Sequence, residues 1–521
     1  MGGRDEPGHD GFPLEYQLAS FRGLHAGDLH MSESTIDTAA TFVASGADPG
    51  LYNHDLAPAT AAQRTWTWRS YSALWVGMVA CIPTYLLASG LIASGLSPVQ
   101  SILLVFLGNL IVLVPMLLTG AMGTKYGVPF PVLLRSSFGP RGAQVAALAR
   151  AFVACGWFGI NTWIGGSAIY GLLNILLGGA LKGTALPVLG IDLGQFVCFL
   201  AFWALHIYFI SKGTESIRWL ETLSAPFLIV MGLVLLGWAY VNAHGFGEML
   251  SAPSTLAADR FWPVVAASLT AMVGFWATLA LNIADFTRFS RSQRDQLIGQ
   301  SIGLPVPMAL FSFLGVAVTS ATVVIFGKAI WDPVDLAGHL GGVGAAIALV
   351  VVMVCTLTVN MAANVVSPSY DFANLAPRSI SFTRGGYITA AIGILIFPWK
   401  LLETAGTYIF SWLVGYSALL GPIAGIMIAD YYIVRRRKLR TADLFQYNGL
   451  YKGTAGWNLK GIAALTLGVA PNIPGFLHSV NLVASVAPIW DTIFTGAWFA
   501  GFFLAAGVYI LLNLGAKQEA A

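Results

Sequence analysis

Residues 72–94 read SALWVGMVACIPTYLLASGLIAS, an apolar run without a charged side chain, interrupted by Gly77, Pro83 and Thr84. About 20 apolar residues in a helix cross a hydrocarbon core of roughly 30 Å, so this run is long enough to span a bilayer. No water is available at that depth for backbone N–H and C=O groups, so the segment must close its own hydrogen bonds as a helix. The pattern recurs along the chain. Spans are expected near 72–94, 101–122, 142–178, 192–211, 219–242, 262–286, 300–327, 343–366, 386–401, 405–432, 460–474 and 487–514, twelve in all. The eleventh is short and broken by Pro471 and Pro474.

Composition agrees with an all-α polytopic membrane protein. Hydrophobic residues make up 56% and charged residues 10%, against roughly 25% charged in soluble domains. The formal net charge of +3 is too small to argue for a nucleic-acid partner; the partner is the lipid bilayer. Cys81, Cys155, Cys198 and Cys355 all lie inside apolar spans without disulfide or metal-ligand spacing, so they read as small buried hydrophobes. Residues 1–50 are rich in Gly and Asp, have no signal-peptide core, and read as a disordered tail.

Loop charge sets the orientation, because Lys and Arg accumulate on the cytoplasmic side. Alternate connections carry Lys125, Arg135 and Arg141; Lys212 and Arg218; Arg288, Arg291 and Arg294; Arg378 and Arg384; and the run Arg435, Arg436, Arg437, Lys438 and Arg440. The others carry little beyond Lys182, Arg260, Lys328 and Lys400. Both termini are therefore expected in the cytoplasm, and the Arg435–Arg440 run reads as a topology anchor. The organisation expected is a tail (1–50), a ten-helix core (51–432), a basic loop (433–455), two further spans (456–514) and a short tail (515–521).

Polar side chains at membrane depth are costly and mark a pathway or a site. The third span carries Trp157 and Asn161, four apart, which puts an aromatic face and an amide on one side of a helix. The eighth carries Thr356, Thr358, Asn360 and Asn364, and the sixth has Gly274 before Phe275 and Trp276, with Asn282 beyond. Alone, each has a plain alternative as packing, a kink or interhelical glue. Together, aromatic faces and amides suit a flat ring that stacks and hydrogen-bonds at its edge. The first and sixth spans, like the third and eighth, are five spans apart; breaks in corresponding positions of two halves point to an inverted-repeat carrier with a midplane site. An enzyme would need chemistry that is missing: there is no His-rich cluster, no G-x-S-x-G elbow and no paired midplane acid. No cofactor is expected. A filter or charged ring, which a channel would need, is equally missing.

The chain resembles the nucleobase–cation symporter family, type 1, from about Asn53 to the end of the twelfth span. The landmarks are NHDLAP with RTW (Asn53–Trp66), GWFGINTWIGG (Gly156–Gly166), WATLALNIADFTRF (Trp276–Phe289), NMAANVVSP (Asn360–Pro368) and GPIAGIMIADYYIVRRR (Gly421–Arg437). The resemblance implies a LeuT-type fold, with two inverted five-helix repeats and two additional helices. It also implies a symporter that imports a nucleobase, allantoin or hydantoin with a cation by alternating access, the first, second, sixth and seventh spans rocking against the third, fourth, eighth and ninth; a monomer is expected. A vitamin such as thiamine, or an amino acid, is the alternative cargo for the same fold. In the family a ring lies between two tryptophans that match Trp157 and Trp276. A helix-eight asparagine matches Asn364. Asn161 stands where the family has a glutamine, and Phe275 where it has a glycine. The implied sodium ligands are the Gly77 and Ala80 carbonyls, the Cys355 carbonyl, the Thr358 hydroxyl and a second hydroxyl. Val359 occupies that last position, so the resemblance leaves sodium and proton coupling both open. Asp285, with Asn282 and Arg288, is expected to serve structure or gating rather than cargo.

Overall fold

The structure, a computed structural model, describes residues 45–212 and 229–514. The tail before residue 45, the start of the fifth span and the C-terminal tail lie outside the described residues. Among the described residues no strand forms; Trp66 with Ser290 and Thr454 with Trp457 make isolated backbone pairings.

The opening run is two helices. Helix α1 (Trp68–Val79) and α2 (Ile82–Ala93) meet at 57°, broken at Ala80 and Cys81. Pro83 explains the position: it lacks an N–H and sits in the first turn of α2, where no intrahelical donor is required. The break therefore lies on the N-terminal side of Pro83, between the interruptions at Gly77 and Thr84. Helix α3 (Pro98–Tyr126) is longer than the second expected span, opening on a Ser97 cap and ending at Gly127, whose φ is 69°. A short α4 (Phe130–Phe138) leads into α5 (Ala143–Leu176), close to the expected third span. Then come α6 (Leu193–Lys212) and α7 (Ile229–Asn242), a short α8 (Phe246–Ser251) and the interrupted sixth span: α9 (Ala258–Phe275), α10 (Ala277–Asn282) and α11 (Ala284–Thr287).

The second half repeats the theme. Helices α12 (Gln293–Gly303) and α13 (Pro305–Phe326) form the seventh span, and α14 (Pro333–Leu340) lies across the following connection. The eighth span is α15 (Gly342–Asn364), continued by α16 (Val366–Leu375). The ninth, expected to be continuous to residue 401, divides into α17 (Phe382–Leu395) and α18 (Pro398–Leu401) at Phe397, whose φ is 54°. The tenth, α19 (Thr407–Val434), is π-helical over Thr407–Leu413 and Ala429–Val434. The eleventh comprises α20 (Leu459–Val469) and α21 (Ile473–Ser479). The twelfth is not one straight span: α22 (Pro488–Thr495) and α23 (Ala497–Asn513) meet at 89°. Six described helices are long and apolar enough to cross a membrane, or up to eight when each bent pair counts as one; the expected twelve includes shorter segments.

Packing sorts these helices into two units. Helices α12 and α13 lie on α1 and α2, while α3 lies on α9, α10 and α13, which makes a bundle of the first, second, sixth and seventh spans. Helices α6, α15, α16 and α17 gather on α5 as a frame of the third, fourth, eighth and ninth. Within the frame, contact is backbone-close: a Cβ on Gly159 would lie 2.5 Å from the Gly393 carbonyl, so α5 and α17 touch only because glycine stands there. The tail also differs from expectation at its end. Asp48 N–H donates to the Phe445 carbonyl (2.9 Å) and its carboxylate accepts from Tyr447 N–H (2.5 Å), so this stretch is docked on the basic loop. That loop is more than an anchor: Arg435 donates to the buried Asp430 at 2.9 Å and to the Ser136 carbonyl at 2.8 Å.

Candidate functional site

Trp157 on α5 and Trp276 at the α9–α10 break are both buried, at 5% and 4% exposure. They make no direct ring contact. Phe275 stands edge-on to each, with centroids 5.3 Å from Trp157 and 4.9 Å from Trp276. The outer side of Trp276 is backed by Trp75 of α1 at 5.1 Å. Trp157 is backed by Tyr408, Trp412 and Tyr416 of α19, at 6.2, 6.0 and 6.3 Å. Gly156 makes room for this, since a Cβ there would lie 2.2 Å from the Trp412 ring. Tyr416 also donates to the Gly274 carbonyl (2.8 Å), a last-turn acceptor at the break that takes the Trp276 N–H as well.

The amides complete the site. Asn161 donates its Nδ2 to the Trp157 carbonyl at 3.0 Å. A carbonyl only accepts, so this contact fixes which end of the amide is nitrogen. Oδ1 is turned away, buried, and without a partner. The indole N–H groups of Trp75, Trp276 and Trp412 are likewise buried without partners. Leaving one such group unpaired costs about 1–3 kcal/mol, so several beside one another need a reason. Asn364 donates to Asn360 Oδ1 at 3.0 Å, and its own Oδ1 takes part in no hydrogen bond. Trp157, Asn161, Phe275, Trp276 and Asn364 thus come from three elements, α5, α9–α10 and α15. Sequence reasoning passed over Trp75, Tyr408, Trp412, Tyr416 and His206. The four-residue spacing of Trp412 and Tyr416 on α19 was the available signal, the same one that exposed Trp157 and Asn161.

The expected cation ligands are brought together only in part. Cys81 N–H turns to the Val79 carbonyl (2.7 Å), so the Gly77 carbonyl loses the donor that a continuous helix would supply. The Ala80 carbonyl, however, accepts from the Cys355 thiol at 3.2 Å, which already ties the α1–α2 break to α15. Thr358 spends its hydroxyl proton on the Val354 carbonyl of its own helix (2.8 Å), and Val359 has no side-chain oxygen. The residues present fit an oxygen-ligated sodium ion incompletely.

Towards the basic loops the bundle and frame are tied together. Asp285 accepts from Phe130 N–H at 2.8 Å and from Asn282 at 3.3 Å, and Asn282 also bonds to Ser367. Arg288 donates to the Asp55 carbonyl (3.1 Å) and to Tyr370 (3.2 Å), while Arg150 pairs with Asp371 at 3.2 Å, both fully buried. Asp285, Asn282 and Arg288 therefore join elements rather than line the aromatic site.

Breaks in the first and sixth spans, a bundle set against a frame, and an aromatic centre with unpaired polar atoms define a membrane carrier of the LeuT type. A nucleobase–cation–symport-1 family transporter, solved in a closed conformation with bromovinylhydantoin bound, superposes with a TM-score of 0.71 at 26% identity, over 90% of this chain and 98% of that one. The chain belongs to the family of permeases for cytosine/purines, uracil, thiamine and allantoin, whose model matches residues 58–501. It is 47% identical over 481 residues to a purine–uracil permease of Arabidopsis thaliana, covering 91% of this chain and 80% of that protein. It is 40% identical to an allantoin permease of Bacillus subtilis (strain 168), covering 89% and 93%. The chain is a permease and not an enzyme.

Proposed function

We propose that this permease imports a planar nitrogen heterocycle, a nucleobase, allantoin or hydantoin, together with a cation by alternating access. The observation that carries the reading is the pair Trp157 and Trp276, each backed by other rings yet not in contact with one another. We read the two faces, with Phe275 edge-on to both, as stacking surfaces for a flat ring, and the unpaired oxygens of Asn161 and Asn364 as acceptors for its edge. The relatives named for purine, uracil and allantoin support the same cargo. An amino acid is a poor fit, because a zwitterion needs a charged partner and none of these five residues has one. The basic connections support cytoplasmic termini, and a monomer suffices because all five residues come from one chain. Val359 and the thiol already bonded to the Ala80 carbonyl favour a proton over sodium as the coupling ion. Calorimetry on the purified protein tests the cargo: uracil or allantoin should bind and glycine or alanine should not. Binding of the amino acids alone would overturn the reading.

A further inference from the structure

Asn364 does not set its own orientation. Its Nδ2 donates to Asn360 Oδ1 (3.0 Å), and Asn360 is fixed in turn from behind. Asn360 Nδ2 donates to the Phe158 carbonyl at 3.1 Å and meets His206 Nε2 at 3.0 Å, with Thr162 Oγ1 at 3.4 Å. The other nitrogen of His206, Nδ1, lies 2.9 Å from the Phe202 carbonyl. Both backbone carbonyls can only accept, and that settles every member of the chain. Nδ1 of His206 must carry the proton, so Nε2 is an acceptor. Asn360 must offer its nitrogen to Nε2 and to Phe158, so its oxygen faces Asn364. Asn364 must answer with nitrogen, which leaves its oxygen for the site. His206 is fully buried between the Phe158 and Phe202 rings, with centroids at 5.1 and 4.9 Å, where each nitrogen depends on the one partner it has.

We propose that His206 and Asn360 are positioning residues that lock Asn364 as a hydrogen-bond acceptor, so the site selects rings that present an N–H to α15. The inference rests on the ring-carrying function proposed above. Asn161 Oδ1 is a second acceptor of fixed polarity, set by the Trp157 carbonyl. Two acceptors held apart on α5 and α15 select a ureide edge carrying two N–H groups. A ring that offers only nitrogen lone pairs there meets oxygen lone pairs.

The test is calorimetric binding of uracil, 1-methyluracil and 3-methyluracil to the full-length protein and to His206→Leu, His206→Gln and Asn360→Leu variants. One methylated ring, lacking the N–H that reaches Asn364, should bind the wild type about tenfold or more weaker than uracil, the loss expected for about 1.4 kcal/mol. His206→Leu and Asn360→Leu should weaken uracil by about tenfold and leave that methylated ring within about twofold. His206→Gln, whose amide oxygen accepts where Nε2 did, should keep uracil within about threefold. Equal losses for both rings would mean a merely structural role and overturn the inference, as would wild-type protein that binds all three rings alike, a result readable even if a variant does not fold. A wild type that binds no planar ring would instead remove the proposed function beneath it.

Discussion

Trp157 is walled by Phe275 on one side and by three aromatic residues of α19 on others, so its ring is held in place before cargo arrives. In the proposed sandwich, little ordering cost would then fall on binding. Trp157→Ala and Trp276→Ala should each lower ring affinity by about 1–3 kcal/mol, by analogy with aromatic–base stacking. Titration of uracil against each variant checks this, and unchanged affinity in both would refute the sandwich. A second substitution addresses the ion: Val359→Thr supplies the missing hydroxyl, and sodium should then stimulate uptake more than it does in the native protein. At this scale the sequence was readable wherever partners lie one turn apart, as with Trp157 and Asn161. His206 was not, because its partner Asn360 is 154 residues away and nothing local to α6 announces the pairing.

Proline and glycine made some breaks in the elements legible and left others hidden. Pro83 forces a helix start, so the α1–α2 break could be bracketed, but no side chain marks Ala80 as the residue that turns the backbone. The 89° bend at Gly496 is not legible in the sequence, because 487–514 is mostly apolar and its glycines are compatible with a continuous span. Between elements, the buried Arg150–Asp371 pair joins α5 to α16. Arg150→Met strands a buried carboxylate and should cost about 3–5 kcal/mol, while Arg150→Met with Asp371→Leu should recover most of it. Thermal unfolding in detergent measures both, and equal losses in the single and double variants would contradict the pairing. Asp332, in the connection before α14, caps that helix by accepting from Val334 N–H at 2.8 Å. Burial pushes its carboxyl up to about 6, and Asp335 acts in the same direction. The folded state thus binds this proton more tightly than the unfolded chain. The resulting stabilisation is full below about pH 4 and is lost as pH rises through about 6. Asp332→Asn should therefore show a smaller fall in melting temperature between pH 5 and pH 7 than the native protein; an identical fall would exclude Asp332 as its source.

At the scale of the described molecule, a bundle and a frame meet at the aromatic site and are strapped together near the basic loops, with α19–α23 outside both. The segment from Asn53 to Trp66 is part of the strap: Asn53 donates to the Pro377 carbonyl and Asp55 accepts from Phe382 N–H, while Trp66 pairs with Phe289 and Arg291. The division into membrane spans and loops was plain from composition, because bilayer burial imposes long apolar runs on any chain. Which spans pack together was not, since it depends on contacts between distant residues; the family resemblance supplied it. A carrier works when its cargo binds the alternate arrangements of bundle and frame with different affinities, so transport itself, not binding, is the decisive observation. At fixed pH, replacing sodium by choline should leave uptake undiminished if a proton couples transport, and abolished uptake would reverse that reading. The most direct test of the central claim is uptake of radiolabelled uracil, allantoin, hydantoin and cytosine into proteoliposomes bearing this protein. Accumulation of at least one of these rings above protein-free vesicles, lost in the Trp157→Ala variant, is the predicted result; no uptake of any planar heterocycle would contradict it.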